Sequence, residues 1–240
     1  MTCVRGPAGL VIGCVLLVGA ASQAESKQLS DTEVRMASFD YATCIVNLSH
    51  RKASEALLSN VDNRQLVEDF GLLVNPHCLP SKAQEMRWGG DLYRYSLADA
   101  LINAEFATAG PEGFSDRLPL AHLPIPTQAD LDLAFASANS KKKRAEIDEH
   151  HKKASAIAML SRYGECVARN DPRNVRFWIL TRPGTPEEVS RVNALRPAFS
   201  ACLQKGATLS FSTATLRGTV ALNYYRLAHA TPQPIAGKPS

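Results

Sequence analysis

The chain has no apolar stretch long enough to cross a bilayer as a helix: its longest run, Leu10 to Ala21, is about 12 residues against the ~20 required. It has no Cys-x-x-Cys pair, which removes thioredoxin-type redox chemistry and c-type haem attachment, and its cysteine spacings fit no zinc-finger pattern. Gly and Pro stand at 14 each with no three-residue period, so the chain is not collagen-like. Neither sign of charge dominates. A net charge of +4 over 240 residues, without a dense stripe of Lys and Arg, argues against a nucleic-acid partner. Period-two alternation never lasts long enough to mark a strand. There is no Gly-x-Ser-x-Gly elbow, His-Glu-x-x-His, Gly-rich phosphate loop or EF-hand. With 45% hydrophobic and 21% charged residues, wholesale disorder is excluded as well. What remains is a helical globular chain of one or two domains that advertises no reaction, cofactor or metal.

What is present begins with an address. Residues Met1 to Ala24 carry one charge, Arg5, then the apolar run, then Ser22-Gln23-Ala24 with small residues where a signal peptidase inspects. This predicts a secretory signal, residues 1–24, cleaved after Ala24, and a periplasmic or secreted product. A retained anchor is the plain alternative. Val11-Ile12-Gly13-Cys14 also resembles a lipoprotein processing box, but the apolar run continues past Cys14, where a lipoprotein turns polar.

Cleavage removes Cys3 and Cys14 and leaves Cys44, Cys78, Cys166 and Cys202, an even number in an oxidising compartment. Four cysteines allow three pairings, and an internal match selects one. At a shift of 122 to 124 residues Tyr41 meets Tyr163, Cys44 meets Cys166, Arg51 meets Arg173 and Leu58 meets Leu180. Cys78-Leu79 then meets Cys202-Leu203, Ala83 meets Ala207, Arg94 meets Arg217 and Ala98 meets Ala221, while Met86, Trp88 and Tyr93 face Leu209, Phe211 and Leu216. Random pairing at average composition gives about three or four such identities, not nine. If the halves are twins, the bridges are Cys44–Cys78 and Cys166–Cys202.

Helical spacing fills in each copy. Val34, Ala37, Tyr41, Cys44 and Leu48 form the first face, answered by Ala156, Met159, Tyr163 and Cys166. Asp171-Pro172 opens a short helix, and Thr185-Pro186-Glu187-Glu188 opens another through a capping box, with Val189, Val192 and Leu195 before Pro197 breaks it. Leu66, Phe70 and Leu73 predict the matching helix of the first copy. Tyr93, Leu97, Ala100, Leu101 and Ala104 predict the last helix there, as Leu216, Val220, Asn223, Tyr224 and Leu227 do in the second. The expected fold is all-α: two four-helix units, 30–106 and 145–230, each with one bridge. Between them lies 107–144, a Pro-rich loop, a short helix capped by Thr127 with Leu131 and Phe135, and a basic linker. A disordered tail follows at 231–240.

Few polar groups stand out. Lys141 to Arg144 with Lys152 and Lys153 reads as a solvated helix face or as a surface for an anionic envelope component or an acidic partner. Glu146, His150 and His151 share helical spacing but make too few ligands for zinc. His77 beside Cys78 suggests a base and nucleophile only if Cys78 is free. Asn47-Leu48-Ser49 fits a glycosylation acceptor. Arg94 and Arg217 recur near the start of the last helix of each copy, where a cation opposes the helix dipole. They predict either a salt bridge or hydrogen bonds to carbonyls that end another helix, or else a pair of anion sites.

Tyr163-Gly164-Glu165-Cys166-Val167 with Phe211-Ser212 and Leu216-Arg217-Gly218 resembles exported bacterial proteins of unknown function that carry a duplicated helical unit. The resemblance implies an envelope location and a shared fold, and no catalytic residue. The expected function is therefore a non-enzymatic protein that binds a protein partner or envelope component. The alternative is an exported hydrolase whose acid and base groups converge only in three dimensions.

Overall fold

A computed structural model describes residues 29–59, 66, 68–80, 91–203 and 211–232. The leader with its cleavage point, Cys3, Cys14 and the tail from 233 onward lie outside these residues, as do Ala83, Met86, Trp88, Ala207 and Leu209. Among the described residues the chain forms eight α-helices, and its only β-type pairing is an isolated bridge between Arg117 and Pro232. The helices are α1 (Asp31–Leu58), α2 (Leu92–Glu105), α3 (Gln128–Ala136), α4 (Lys141–Asn170), α5 (Pro172–Ile179), α6 (Pro186–Ala194), α7 (Arg196–Ala201) and α8 (Thr213–Ala228).

Local chemistry sets their ends. Ser30 and Glu33 close a reciprocal capping box on α1, and Thr127 and Asp130 do the same for α3. Asp171 caps α5 with Pro172 in its first turn. Ser140 accepts from the Lys143 N–H, so the basic run Lys141–Arg144 is the first turn of α4 itself. Inside α1 the backbone leaves helical geometry at Ser49 (φ −145°, ψ 43°) and then resumes.

The sequence places a helix through Leu66, Phe70 and Leu73; the structure ends that stretch in two 3-10 turns, Gly71–Leu73 and Pro76–Cys78. Pro76 cannot donate an N–H to a continuing helix, and the Asn75 side chain turns the chain by accepting from the His77 N–H. Leu66 and Leu73 are nonetheless buried as their spacing requires.

The long helices pack in the order α1, α2, α8, α4, with α5 laid against α8. Backbones approach closely at two glycines. A methyl on Gly218 would stand 2.2 Å from Tyr95 Cβ, and one on Gly164 would stand 2.7 Å from the Thr219 carbonyl oxygen. One apolar core runs through both halves, from Tyr41 and Ile45 through Leu97 and Leu101 to Val167, Trp178, Tyr224 and Leu227. Disulfides join Cys44 to Cys78 and Cys166 to Cys202, with Cα–Cα distances of 5.6 and 5.8 Å.

Residues 106–127 form an ordered strap held to the bundle by arginines that donate to its carbonyl oxygens. Arg176 reaches Phe106, Arg169 reaches Phe114 and Leu118, each at 2.7 Å, and Arg226 and Arg162 reach Ala121 and Leu123, each at 2.9 Å. The Phe114 ring is buried edge-on against Tyr224, 5.3 Å between centroids.

Candidate functional site

Arg217, one of the two arginines singled out by the sequence, is 3% exposed on α8, and its guanidinium is filled from within. Nε and Nη2 donate to the two carboxylate oxygens of Asp99 at 2.7 and 3.0 Å. Nη1 donates to Glu188 Oε1 at 3.1 Å, and the carbonyls of Trp178, Ile179 and Thr181 accept the remaining donors. Arg35 from α1 binds the same Glu188 oxygen, and Gly184 N–H donates to the other at 2.8 Å. Two arginines and two carboxylates thus balance inside the protein. Burial raises the Asp99 carboxyl above its ordinary value against the pull of Arg217. The adjoining cavity, lined by Arg35, Ser38, Ser96, Asp99 and Arg217, is about 30 Å³ and has room for little more than a water molecule. The anion that Arg217 binds is the protein's own.

Arg94 has different surroundings: it is half-buried at the start of α2, and its charge adds to burial in holding Arg226 below its ordinary value. The structure does not bring the two arginines into one site.

Glu188 corrects a sequence reading. Thr185 does accept from the Glu188 N–H at 3.3 Å, but the Glu188 carboxylate turns inward to the arginines instead of closing the capping box. Asp99 carried a signal, since it is a lone acid among Leu97, Ala98, Ala100 and Leu101, a helical stretch buried all round.

A second cluster was not visible in sequence. His122 on the strap lies between Ser161 and Glu165, one turn apart on α4, with Nδ1 2.8 Å from Ser161 Oγ and Nε2 2.5 Å from Glu165 Oε2. Glu165 also accepts from the Leu120 N–H at 3.1 Å and from Arg169 Nε at 2.7 Å. Burial acts to raise this carboxyl, but the hydrogen bonds from His122, Leu120 and Arg169 outweigh it and hold it at about 2. The separations of 39 and 43 residues match no motif.

A surface groove of about 330 Å³ lies on α4. Ala156, Met159, Leu160 and Phe211 make its apolar floor, with His151, Lys152 and Ser155 at the rim. Met159 is 46% exposed. His151 Nε2 meets the Thr127 carbonyl at 3.0 Å, and Lys152 pairs with Asp148 at 2.6 Å, which raises the lysine above its ordinary value.

Of the other sequence candidates, Glu146 pairs with Lys143 at 3.5 Å while His150 is exposed and apart. Lys141 to Arg144, Lys152 and Lys153 form a solvated face interrupted by acids. Cys78 is bridged, so it offers His77 no thiol. Asn47 is exposed just before the break at Ser49. Tyr41 and Tyr163 are buried beside the bridges. Among the described residues no group of three or more His, Cys, Asp or Glu is arranged to hold a metal, and no helix is long and apolar enough to cross a membrane. No family model matches this chain, and neither does any curated protein or solved structure.

Proposed function

We propose that this is an exported, non-enzymatic binding protein, built from a duplicated helical unit, whose α4 groove takes an apolar group of a partner or envelope component. The groove carries the reading: it is apolar at its floor, polar at its rim, open at the surface and near the lower size limit of ligand sites. The leader and the two bridges support export.

Matched details support the duplication. Asp171, 122 residues after Ser49, repeats its break with φ −147° and ψ 68°, so the end of α1 answers α5. Three residues before the second cysteine of each bridge, a backbone group meets the tyrosine that precedes the first: Asn75 N–H to Tyr41 at 3.1 Å, and Tyr163 to the Phe199 carbonyl at 3.2 Å. Tyr95 and Gly218, 123 positions apart, touch each other, as equivalent residues do at a two-fold axis.

The test is titration of the oxidised protein with 8-anilinonaphthalene sulfonate, comparing Met159→Glu, a surface change on the groove floor. The reading expects saturable binding that weakens at least tenfold in the variant. Absence of binding, or binding indifferent to Met159, defeats it.

The Ser161–His122–Glu165 relay favours a second reading, an exported hydrolase with Ser161 as nucleophile and His122 as base. It ranks below the first because the His122 side chain is 8% exposed and neither described cavity reaches the three residues. Hydrolysis of p-nitrophenyl acetate that disappears in both Ser161→Ala and His122→Ala would reverse that order.

A further inference from the structure

Phe177 on α5 carries three guanidinium groups around its ring. The central carbons of Arg173, Arg176 and Arg191 lie 5.7, 4.9 and 5.3 Å from its centroid. Three cations share this one ring, whose quadrupole attracts each by only about 0.5–1 kcal/mol at an exposed site. The neighbourhood supplies little else. Among the described residues no carboxylate stands within ion-pair distance of Arg173 or Arg176, and Arg191 has only exposed Glu187 at 3.8 Å. Arg176 is held in place by its bond to the Phe106 carbonyl, Arg173 is exposed, and Phe177 and Arg191 are half-buried.

The matching position of the first half shows what is missing. There Arg51 pairs with Glu55 one turn on, at 2.9 Å. At the shift of 122 that sets Arg51 against Arg173, the place of Glu55 is taken by Phe177. On the proposed duplication, the second half holds an aromatic ring where the first holds a counter-ion, with Arg176 and Arg191 beside it.

From this geometry we infer that Phe177 with Arg173, Arg176 and Arg191 is a docking platform for an acidic segment of a partner protein, one with an apolar side chain between carboxylates. The arrangement selects this occupant. The guanidiniums surround a ring instead of an empty point, so they do not converge on one tetrahedral anion. All three lie within 5.7 Å of a single centroid, too compact for a membrane plane. An apolar centre with a cationic rim is complemented by an apolar centre with an anionic rim, and each guanidinium can grip a carboxylate with two N–H groups. Nothing in this depends on the α4 groove, and each surface can fail alone.

The experiment is a fluorescence-anisotropy titration of the full oxidised protein with a labelled Glu-Glu-Leu-Glu-Glu peptide in 50 mM salt. Saturable binding is expected, weakened at least tenfold by Arg173→Ala and further by Arg173→Glu. Arg51→Glu, which makes the same charge change at the matched position, should leave it within twofold. Phe177→Leu, which keeps an apolar side chain at the partly buried site, should weaken it several-fold. No binding by the unaltered protein overturns the proposal, and so do equal losses in Arg51→Glu and Arg173→Glu. Arg173-dependent binding of inorganic phosphate or phosphatidylglycerol vesicles in place of the peptide also overturns it, because the occupant is then of another class.

Discussion

Arg217 and Asp99 meet as a bidentate pair inside the protein, joining α8 to α2 through bonds of 2.7 and 3.0 Å. Because Asp99 is buried, its removal strands a guanidinium away from water. Asp99→Ala should destabilise by about 3–5 kcal/mol, whereas replacing both partners with apolar residues, Asp99→Leu with Arg217→Met, should recover much of the loss. Urea unfolding of the two variants checks this. A cost below about 1 kcal/mol for Asp99→Ala would show that Glu188 alone satisfies the arginine.

Glu165 makes the strap sensitive to acid. Its folded pKa of about 2 lies below the ordinary 4.5, so its contribution is complete above pH 4.5 and is lost as pH falls from there toward 2. At 1.36 kcal/mol per pH unit this sets an upper bound of about 3 kcal/mol, which solvent screening of the Arg169 pair reduces. Glu165→Gln should therefore destabilise by up to that amount at pH 7 and make no difference below pH 2. Hydrogen exchange of the Leu120 amide, which Glu165 accepts, reports the same change locally.

Gly218→Ala should lower stability by about 1–3 kcal/mol even though alanine is the better helix former, because its methyl lands on Tyr95 Cβ, which cannot rotate away. Gly71→Ala, with nothing within 4 Å of the added methyl, should change the melting temperature little. Equal effects from the two would mean that α2 and α8 can part at low cost.

Loss of the Cys166–Cys202 bridge, which closes 36 residues, should cost about 4 kcal/mol in the chain-entropy account. Cys166→Ala should lower the melting temperature while non-reducing peptide mapping still finds Cys44 joined to Cys78. Recovery of Cys44 joined to Cys202 in that variant would show that the pairing follows proximity in unfolded chains, not the fold.

What could be read from sequence was mostly local. Thr127, Asp171 and Thr185 start helices where their side chains find free N–H groups within one turn, and the apolar spacing of Leu97, Leu101, Val220 and Tyr224 marks faces that are buried. The pairing of cysteines was legible because the internal sequence match singles out Cys44–Cys78 and Cys166–Cys202, and these are the bridges that form. The ion network was not, since Arg35 and Glu188 are 153 residues apart and no spacing rule spans that distance. Glu188 was misread because a glutamate at the third position of a helix caps it by default, and only the approach of two buried arginines draws it inward. His122 was unreadable for the same reason: its two partners sit on a helix that begins 19 residues further along the chain.

Each bridge closes within its own half, 34 and 36 residues apart in sequence, and neither crosses the strap. A single protease cut between 107 and 126 would therefore leave two polypeptides with no covalent tie. In native buffer they should migrate as one particle, because the shared interior holds them. On a denaturing gel without reductant they should separate into two bands, and mixing them again would ask whether one half can template the other.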